Sequence, residues 1–260
     1  MSEGSPDGYG PIRIAGGDTA RPIILARRLR LLQKHFPFSG KKVIDCGCGA
    51  GGYVMELLKL GADAFGIEFS EEKVNQFKAA GNEPERVNVG DLQRMDFPDR
   101  TFDFALLNEV LEHVPEDHRA LSEVFRILKP LGTLAVFSPN RLYPFETHGV
   151  TCRLTDKPLP PHWTPFVPYV PLFIGKRLFS YHARNYFPGE LRRLIEAAGF
   201  QIVHRTYFWQ TFENVSGQQP GWMRVMRPAL RKAATVLERT PVLRRMGVSQ
   251  VILAVRPGTS

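Results

Sequence analysis

The stretch Val43-Ile44-Asp45-Cys46-Gly47-Cys48-Gly49-Ala50-Gly51-Gly52 passes from an apolar run into a chain of small residues and then directly into GYVMELLKL, residues 52–60. It reads as a strand, a tight turn and a helix. Small residues let the backbone approach a ligand closely. The helix behind them offers free N–H groups and a partial positive charge, which suit a carboxylate or a phosphate. Gly47, Gly49 and Gly52 satisfy the spacing of a dinucleotide-binding loop, and Gly47, Gly49 and Gly51 behind Asp45 satisfy a second spacing. The loop by itself leaves its ligand open.

Moving outward, apolar runs at 62–70, 86–91, 102–110 and 132–140 read as further strands, and 71–80 and 116–130 as helices between them. Alternation of this kind requires crossover connections, hence a mainly parallel sheet covered on both faces. Pro188 and Gly189 open another helix that Gly199 closes, and QIVHRTYF (201–208) and QVILAVRP (250–257) complete seven strands. The expected fold class is therefore α/β, a Rossmann-like seven-stranded mainly parallel sheet.

Four segments follow. Residues 1–17, rich in Gly, Pro, Ser and Asp, form a flexible N-terminal tail, and residues 18–140 form the ligand-binding core, entered by an amphipathic helix over 19–36. Residues 141–188, proline-rich, aromatic and without clear period, form a cap insertion, and long irregular insertions are usually functional. Residues 189–260 return to the core and carry an inserted helix.

With 43% hydrophobic and 23% charged residues over 260 positions, the chain is neither disordered nor fibrous. It has no apolar run long enough to span a bilayer and no basic-then-apolar leader. Its three cysteines, Cys46, Cys48 and Cys152, complete neither a disulfide framework nor a zinc site, so a cytoplasmic protein is expected. The net charge of +8 is carried entirely by residues 181–260, with twelve Lys or Arg against four Asp or Glu. Such a tail attracts anionic partners, although a solvated basic face is common.

Other strand ends narrow the choice of ligand. Glu68 and Phe69 end the second strand, Asp91 and Leu92 the third, and Asn108 and Glu109 the fourth. Open α/β sheets bind ligands at these carboxyl ends. On these residues, together with Asp45, Gly47, Gly49 and Gly51, the chain resembles the class I S-adenosylmethionine-dependent methyltransferases over roughly residues 41–140 and again at its last two strands. The resemblance implies S-adenosyl-L-methionine as cofactor. It places Glu68 on the ribose hydroxyls, Asp91 on the adenine amine with Leu92 against the ring, and the backbone carbonyls at Asn108 and Glu109 on the methionine amino group, with Phe69 and His113 also among the cofactor-binding residues. It also implies a last strand inserted antiparallel between the fifth and sixth. The connection before that strand, about forty residues from Trp209 to Ser249, is longer than the family's.

Methyl transfer to an alcohol or phenol needs a base, and two runs offer one: EVLEHV with Glu109, Glu112 and His113, and PFETHG with Glu146 and His148. His148 is the expected catalytic base. Glu109, Glu112, His113 and His148 also resemble magnesium sites of small-RNA 2′-O-methyltransferases and ubiquinone-pathway O-methyltransferases, yet similar runs occur in metal-free family members, so no metal is assigned. The thiols of Cys46 and Cys48 are explained by their small size.

The cap aromatics Trp163, Phe166, Tyr169, Phe173, Phe179, Tyr181, Tyr186 and Phe187 are expected to wall an apolar or ring-bearing acceptor or to pack the cap itself. Trp222, Val225, Met226, Ala229, Leu230, Ala233, Val236 and Leu237 recur at helical steps opposite Arg224, Arg227, Arg231 and Glu238, with Pro228 starting or kinking the helix. That helix would dock on the domain, cover a substrate or make peripheral contact with an anionic membrane. The expected function is methylation, at oxygen, of a small-molecule or lipid-linked acceptor such as a sugar, phenol or quinone precursor. The alternatives are an RNA methyltransferase with a divalent-metal-assisted site, favoured by the basic tail and the metal-like cluster, and a nicotinamide-dependent reductase, disfavoured by the two ligand carboxylates.

Overall fold

The structure, a computed structural model, describes residues 22–159, 165–211 and 221–258; the expected tail and Trp163 lie outside them, as do the side chains of 221–224. Seven strands form one sheet in the order β3-β2-β1-β4-β5-β10-β9. They are β1 (Lys42–Cys46), β2 (Asp63–Glu68), β3 (Val87–Val89), β4 (Phe102–Asn108), β5 (Leu128–Pro139), β9 (Gln201–Phe208) and β10 (Ser249–Val255). The pairs β1–β2, β1–β4, β2–β3 and β4–β5 are parallel, and β10 is antiparallel to both neighbours. The last strand thus inserts as the resemblance implied.

Apolar side chains on both faces of β1, β4 and β5 demand cover on both sides, and helices supply it. One face buries Leu25, Leu29 and Leu32 of α1 (Pro22–His35), Val54 and Leu57 of α2 (Gly52–Lys59), and Val74 and Phe77 of α3 (Glu71–Ala79). The other buries Leu121 and Val124 of α4 (Asp117–Ile127) and Leu191 and Ile195 of α6 (Pro188–Ala197).

Three expectations are corrected. The helix expected to run to Pro130 ends at Ile127, and β5 begins at Leu128. Pro130 biases its predecessor toward extended backbone, and the Arg256 guanidinium draws the carbonyls of Phe125, Arg126 and Leu128. The cap is more regular than its sequence, with a three-stranded antiparallel sheet β7-β6-β8 (Lys157–Leu159, Val150–Cys152, Phe179–Tyr181) and a short helix α5 (Leu172–Leu178). Strands of three residues are too short to show a period.

The third correction concerns α7 (Gly221–Arg239), which contains Pro228 rather than starting at it. Its expected apolar face does not pack inward: Val225, Met226 and Val236 are exposed. Glu238 instead pairs with Arg27 of α1 and accepts from the Trp209 amide, while Arg231 donates to the Thr211 carbonyl. These polar ties set the rotation of the helix, and only Ala234 is buried among its described side chains.

Gly51 caps α2 at φ 78°, and a Cβ there would meet the Phe77 ring at 2.3 Å. Left-handed backbone costs a non-glycine residue about 1–2 kcal/mol, and overpacking a core about 1–3 more. Gly51→Ala is therefore expected to lower stability by about 2–4 kcal/mol in denaturant unfolding. Gly49→Ala, at φ 58° with nothing within 4 Å of the added Cβ, is expected to cost much less. Equal losses would contradict the packing role of Gly51.

Candidate active site

The carboxyl ends of β1, β2, β4 and β5 lie side by side at one edge of the sheet, where open α/β sheets form their ligand crevice. Near the end of β1 Asp45 is 1% exposed, with an Oδ1 that has no hydrogen-bond partner. Burial, reinforced by the nearby charge of Glu68, pushes this carboxyl up to about 8. An unpartnered buried carboxyl is costly in itself, and a cationic ligand would relieve it.

The turn above it is held open by its glycines. Gly47 (φ 78°) donates its amide to the Ile67 carbonyl at 2.7 Å, and a Cβ on it would strike the Val110 side chain at 2.5 Å. The Gly49 amide donates to Glu68 Oε2 at 2.9 Å, and the Ser70 amide to Glu68 Oε1 at 3.0 Å. Two backbone N–H groups therefore fix the Glu68 carboxylate at the tip of β2, with Lys73 Nζ at 3.8 Å. Beside it the Phe69 ring is 79% exposed, a free flat face at the crevice edge. After β3, Asp91 Oδ1 accepts from the Gln93 amide at 2.9 Å, and Leu92 is buried behind it. Burial pushes the Cys46 and Cys48 thiols up, so both are inert packing groups.

Beyond β4 the arrangement depends on a residue that sequence reasoning missed. Arg28 of α1 is buried, with its guanidinium carbon 4.9 Å from the Phe137 ring centre. It donates to Asn108 Oδ1 at 2.6 Å and to Glu109 Oε1 at 2.5 Å. Ser249 Oγ of β10 donates to the same Glu109 oxygen at 2.8 Å. Glu109 stands at φ 55°, a strained position held by this network. Although burial opposes ionisation, Arg28 and then His148 bring the Glu109 carboxyl below its ordinary range. The missed signal was a charge on the apolar stripe of α1, between Leu25, Leu29 and Leu32.

Glu112, His113 and His148 lie together above this network. His148 Nδ1 is 3.0 Å from Thr147 Oγ1, its Nε2 is 3.7 Å from Glu112 Oε1, and its ring centre is 5.1 Å from that of His113. Both Glu112 carboxyl oxygens are buried without a hydrogen-bond partner. Burial, with the Glu109 charge adding to it, holds Glu112 well above the usual carboxyl range. Burial also lowers His148, Glu109 opposes that shift, and His113 adds to it. Burial thus works against charge on both partners of the Glu112–His148 contact.

The His148 loop is anchored from below by Glu146, which is 1% exposed. Its Oε1 accepts the amides of Thr147 and His148 at 3.0 and 3.1 Å, and its Oε2 accepts from Asn185 Nδ2 at 2.9 Å. Glu146 is a positioning group rather than a second base. Asn185, which ties that anchor to the end of the cap, was invisible in the sequence.

Among the described residues, Glu112, His113 and His148 form a trio that could hold a metal ion, their ligand atoms lying within 4.8 Å of one another. Glu109, the fourth member of the metal-like run, is instead engaged by Arg28 and Ser249. The cap aromatics divide. Phe166 and Phe173 face solvent, whereas Tyr186 is buried, with its hydroxyl on Asp117 Oδ2 at 2.9 Å.

A family model described as a methyltransferase domain matches residues 44–136. Demethylmenaquinone methyltransferase of Staphylococcus aureus is 30% identical over 193 residues, covering 66% of this chain and 73% of that protein. Ubiquinone biosynthesis O-methyltransferase of Methylococcus capsulatus is 31% identical over 118 residues, covering 44% of this chain and 50% of that protein. The chain spans about half or less of the length of the first curated relatives it matches. An S-adenosylmethionine-dependent methyltransferase from Mesorhizobium loti superposes with a TM-score of 0.58, covering 89% of this chain and 97% of that one at 20% identity, which shows a shared fold.

Proposed function

The chain belongs to the class I S-adenosylmethionine-dependent methyltransferase family, and we propose that it methylates an oxygen of a ring-bearing, small-molecule or lipid-linked acceptor, with His148 as general base. The observation that carries this reading is the His148 imidazole, half-buried, held by Thr147 and disfavoured as a cation by that burial, beside the strand ends where the family binds its cofactor. The two relatives named for ubiquinone and menaquinone methylation support a quinone-precursor type of acceptor.

The crevice fits the family's cofactor. Asp45 carries a buried oxygen without a partner, suited to a cationic ligand, and the open side of Gly49 leaves room for close approach. Asp45, Gly47, Gly49, Gly51, Glu68, Phe69, Asp91, Leu92, Asn108 and His113 would hold it. When bound, S-adenosyl-L-methionine supplies an electrophilic methyl group on a sulfonium.

The protein's own part is to bind, orient and deprotonate. Glu68, preset by two backbone amides, is ready to accept from a diol without reorganising. Arg28 ties α1 across Asn108 and Glu109 and so shapes the floor. His148 takes the proton of the acceptor hydroxyl, and the resulting imidazolium is stabilised by the Glu109 carboxylate, whose field favours the charged ring. Burial and the Glu109 charge both work against a second negative charge on Glu112.

The test is transfer of labelled methyl from S-adenosyl-L-methionine to phenolic and catechol-type acceptors, before and after exhaustive chelation. Product formation unchanged by chelation is the expected result. Loss on chelation, restored by magnesium, would replace the imidazole base with a metal at the Glu112, His113 and His148 trio. Transfer to RNA alone would overturn the choice of acceptor.

A further inference from the structure

We propose that the cap docks the protein on an anionic phospholipid surface, with its exposed apolar ridge entering the lipid and the cavity beside it taking a headgroup phosphate. The inference builds on the lipid-linked acceptor reading above, for which the cap would be the route from bilayer to crevice.

The ridge comes first. Phe166, Leu172 and Phe173 are 65%, 48% and 72% exposed within one short segment. Single exposed apolar residues are ordinary, but several adjoining ones mark an interaction surface. Phe166 also stands at φ 63°, a left-handed conformation unusual for a bulky residue, so strained backbone holds its ring toward solvent.

Charge then selects the occupant. Lys176 and Arg177 follow the ridge directly and are exposed, and no Asp or Glu occurs from residue 157 to 189. An apolar surface bordered by basic side chains without acids suits an anionic bilayer better than a neutral protein groove.

The cavity supplies an independent observation. It measures about 400 Å³, and Arg141, Lys176, Tyr181 and Arg184 are among its lining residues. Arg141 is only 7% exposed, donates to the carbonyls of Pro168 and Val170, and lies 4.8 Å from the Phe187 ring centre. Among the described residues no carboxylate lies at ion-pair distance from it, and the hydrogen bonds of its guanidinium go to neutral carbonyls. The Tyr181 hydroxyl is buried without a hydrogen-bond partner. The two carboxylates in the lining are already engaged, Asp117 by Arg184 and Tyr186, and Glu190 by the Phe187 amide. A phosphodiester brings the missing negative charge and acceptor oxygens. Helix α5 joins the two features, since Leu172 and Lys176 line the cavity while Phe173 faces solvent.

The test is co-sedimentation of the full chain with phosphatidylcholine vesicles, with and without phosphatidylglycerol, at low ionic strength and with neither cofactor nor acceptor. Binding that requires phosphatidylglycerol is expected. A K176A/R177A variant should bind about 25-fold more weakly, at roughly fivefold per basic side chain near an anionic surface, and F166A/F173A at least about 10-fold more weakly. No binding to the anionic vesicles, both double variants binding like the parent, or capture of soluble glycerol phosphate without vesicle binding would each overturn the proposal. Methyl transfer is not read in this assay, so its failure leaves the proposed reaction standing.

Discussion

His148→Gln is expected to lower the turnover number by about 10²- to 10⁴-fold, the usual contribution of a positioned general base, while leaving S-adenosylhomocysteine affinity within about twofold. Gln can keep a contact to Thr147 Oγ1 but cannot accept a proton at neutral pH. The pH profile gives a second reading. Burial lowers the His148 pKa, so the parent rate should hold down to about pH 6.5, the ordinary histidine value, and fall only on the acid side of it. The sign follows from the role, since a base is lost when it is protonated. The variant should lose that acid limb, and retention of both full rate and limb would remove His148 from the chemistry.

Glu68→Ala is expected to weaken S-adenosylhomocysteine binding by roughly 100-fold or more. The carboxylate holds the amides of Gly49 and Ser70, so its removal frees the glycine turn as well as a ligand contact. Hydrogen bonds to charged groups contribute about 1.5–3 kcal/mol each, and about 1.4 kcal/mol is tenfold in affinity. Glu68→Gln, which retains one carbonyl acceptor, should lose less. Calorimetric titration checks both, with circular dichroism showing that the fold persists. Unchanged affinity in Glu68→Ala would place the ligand elsewhere.

The sheet was legible because β1, β4, β5 and β10 are apolar on both faces and are separated by helical stretches. The placement of the glycine loop and of the strand-end acids was legible because each follows directly on a short apolar run. The α4–β5 boundary was not, because a distant arginine, Arg256, helps to terminate the helix. An amphipathic pattern identifies a face but not what the face meets. On α7 the ties of Arg231 and Glu238 to Thr211, Arg27 and Trp209 turned the apolar side outward. The Arg28 network joins residues some 80 and 221 positions apart, and only the charge within an apolar stripe hinted at it. Glu112 was visible as a candidate ligand, yet its burial without a partner is a property of packing alone.

The central claim is that the glycine turn, Asp45 and Glu68 together clasp one adenosyl amino acid. Calorimetric titration of the full chain with S-adenosylhomocysteine, and separately with NADH, tests it most directly. One saturable site for S-adenosylhomocysteine and no heat from NADH is the expected result. Saturable NADH binding that S-adenosylhomocysteine fails to displace would contradict it.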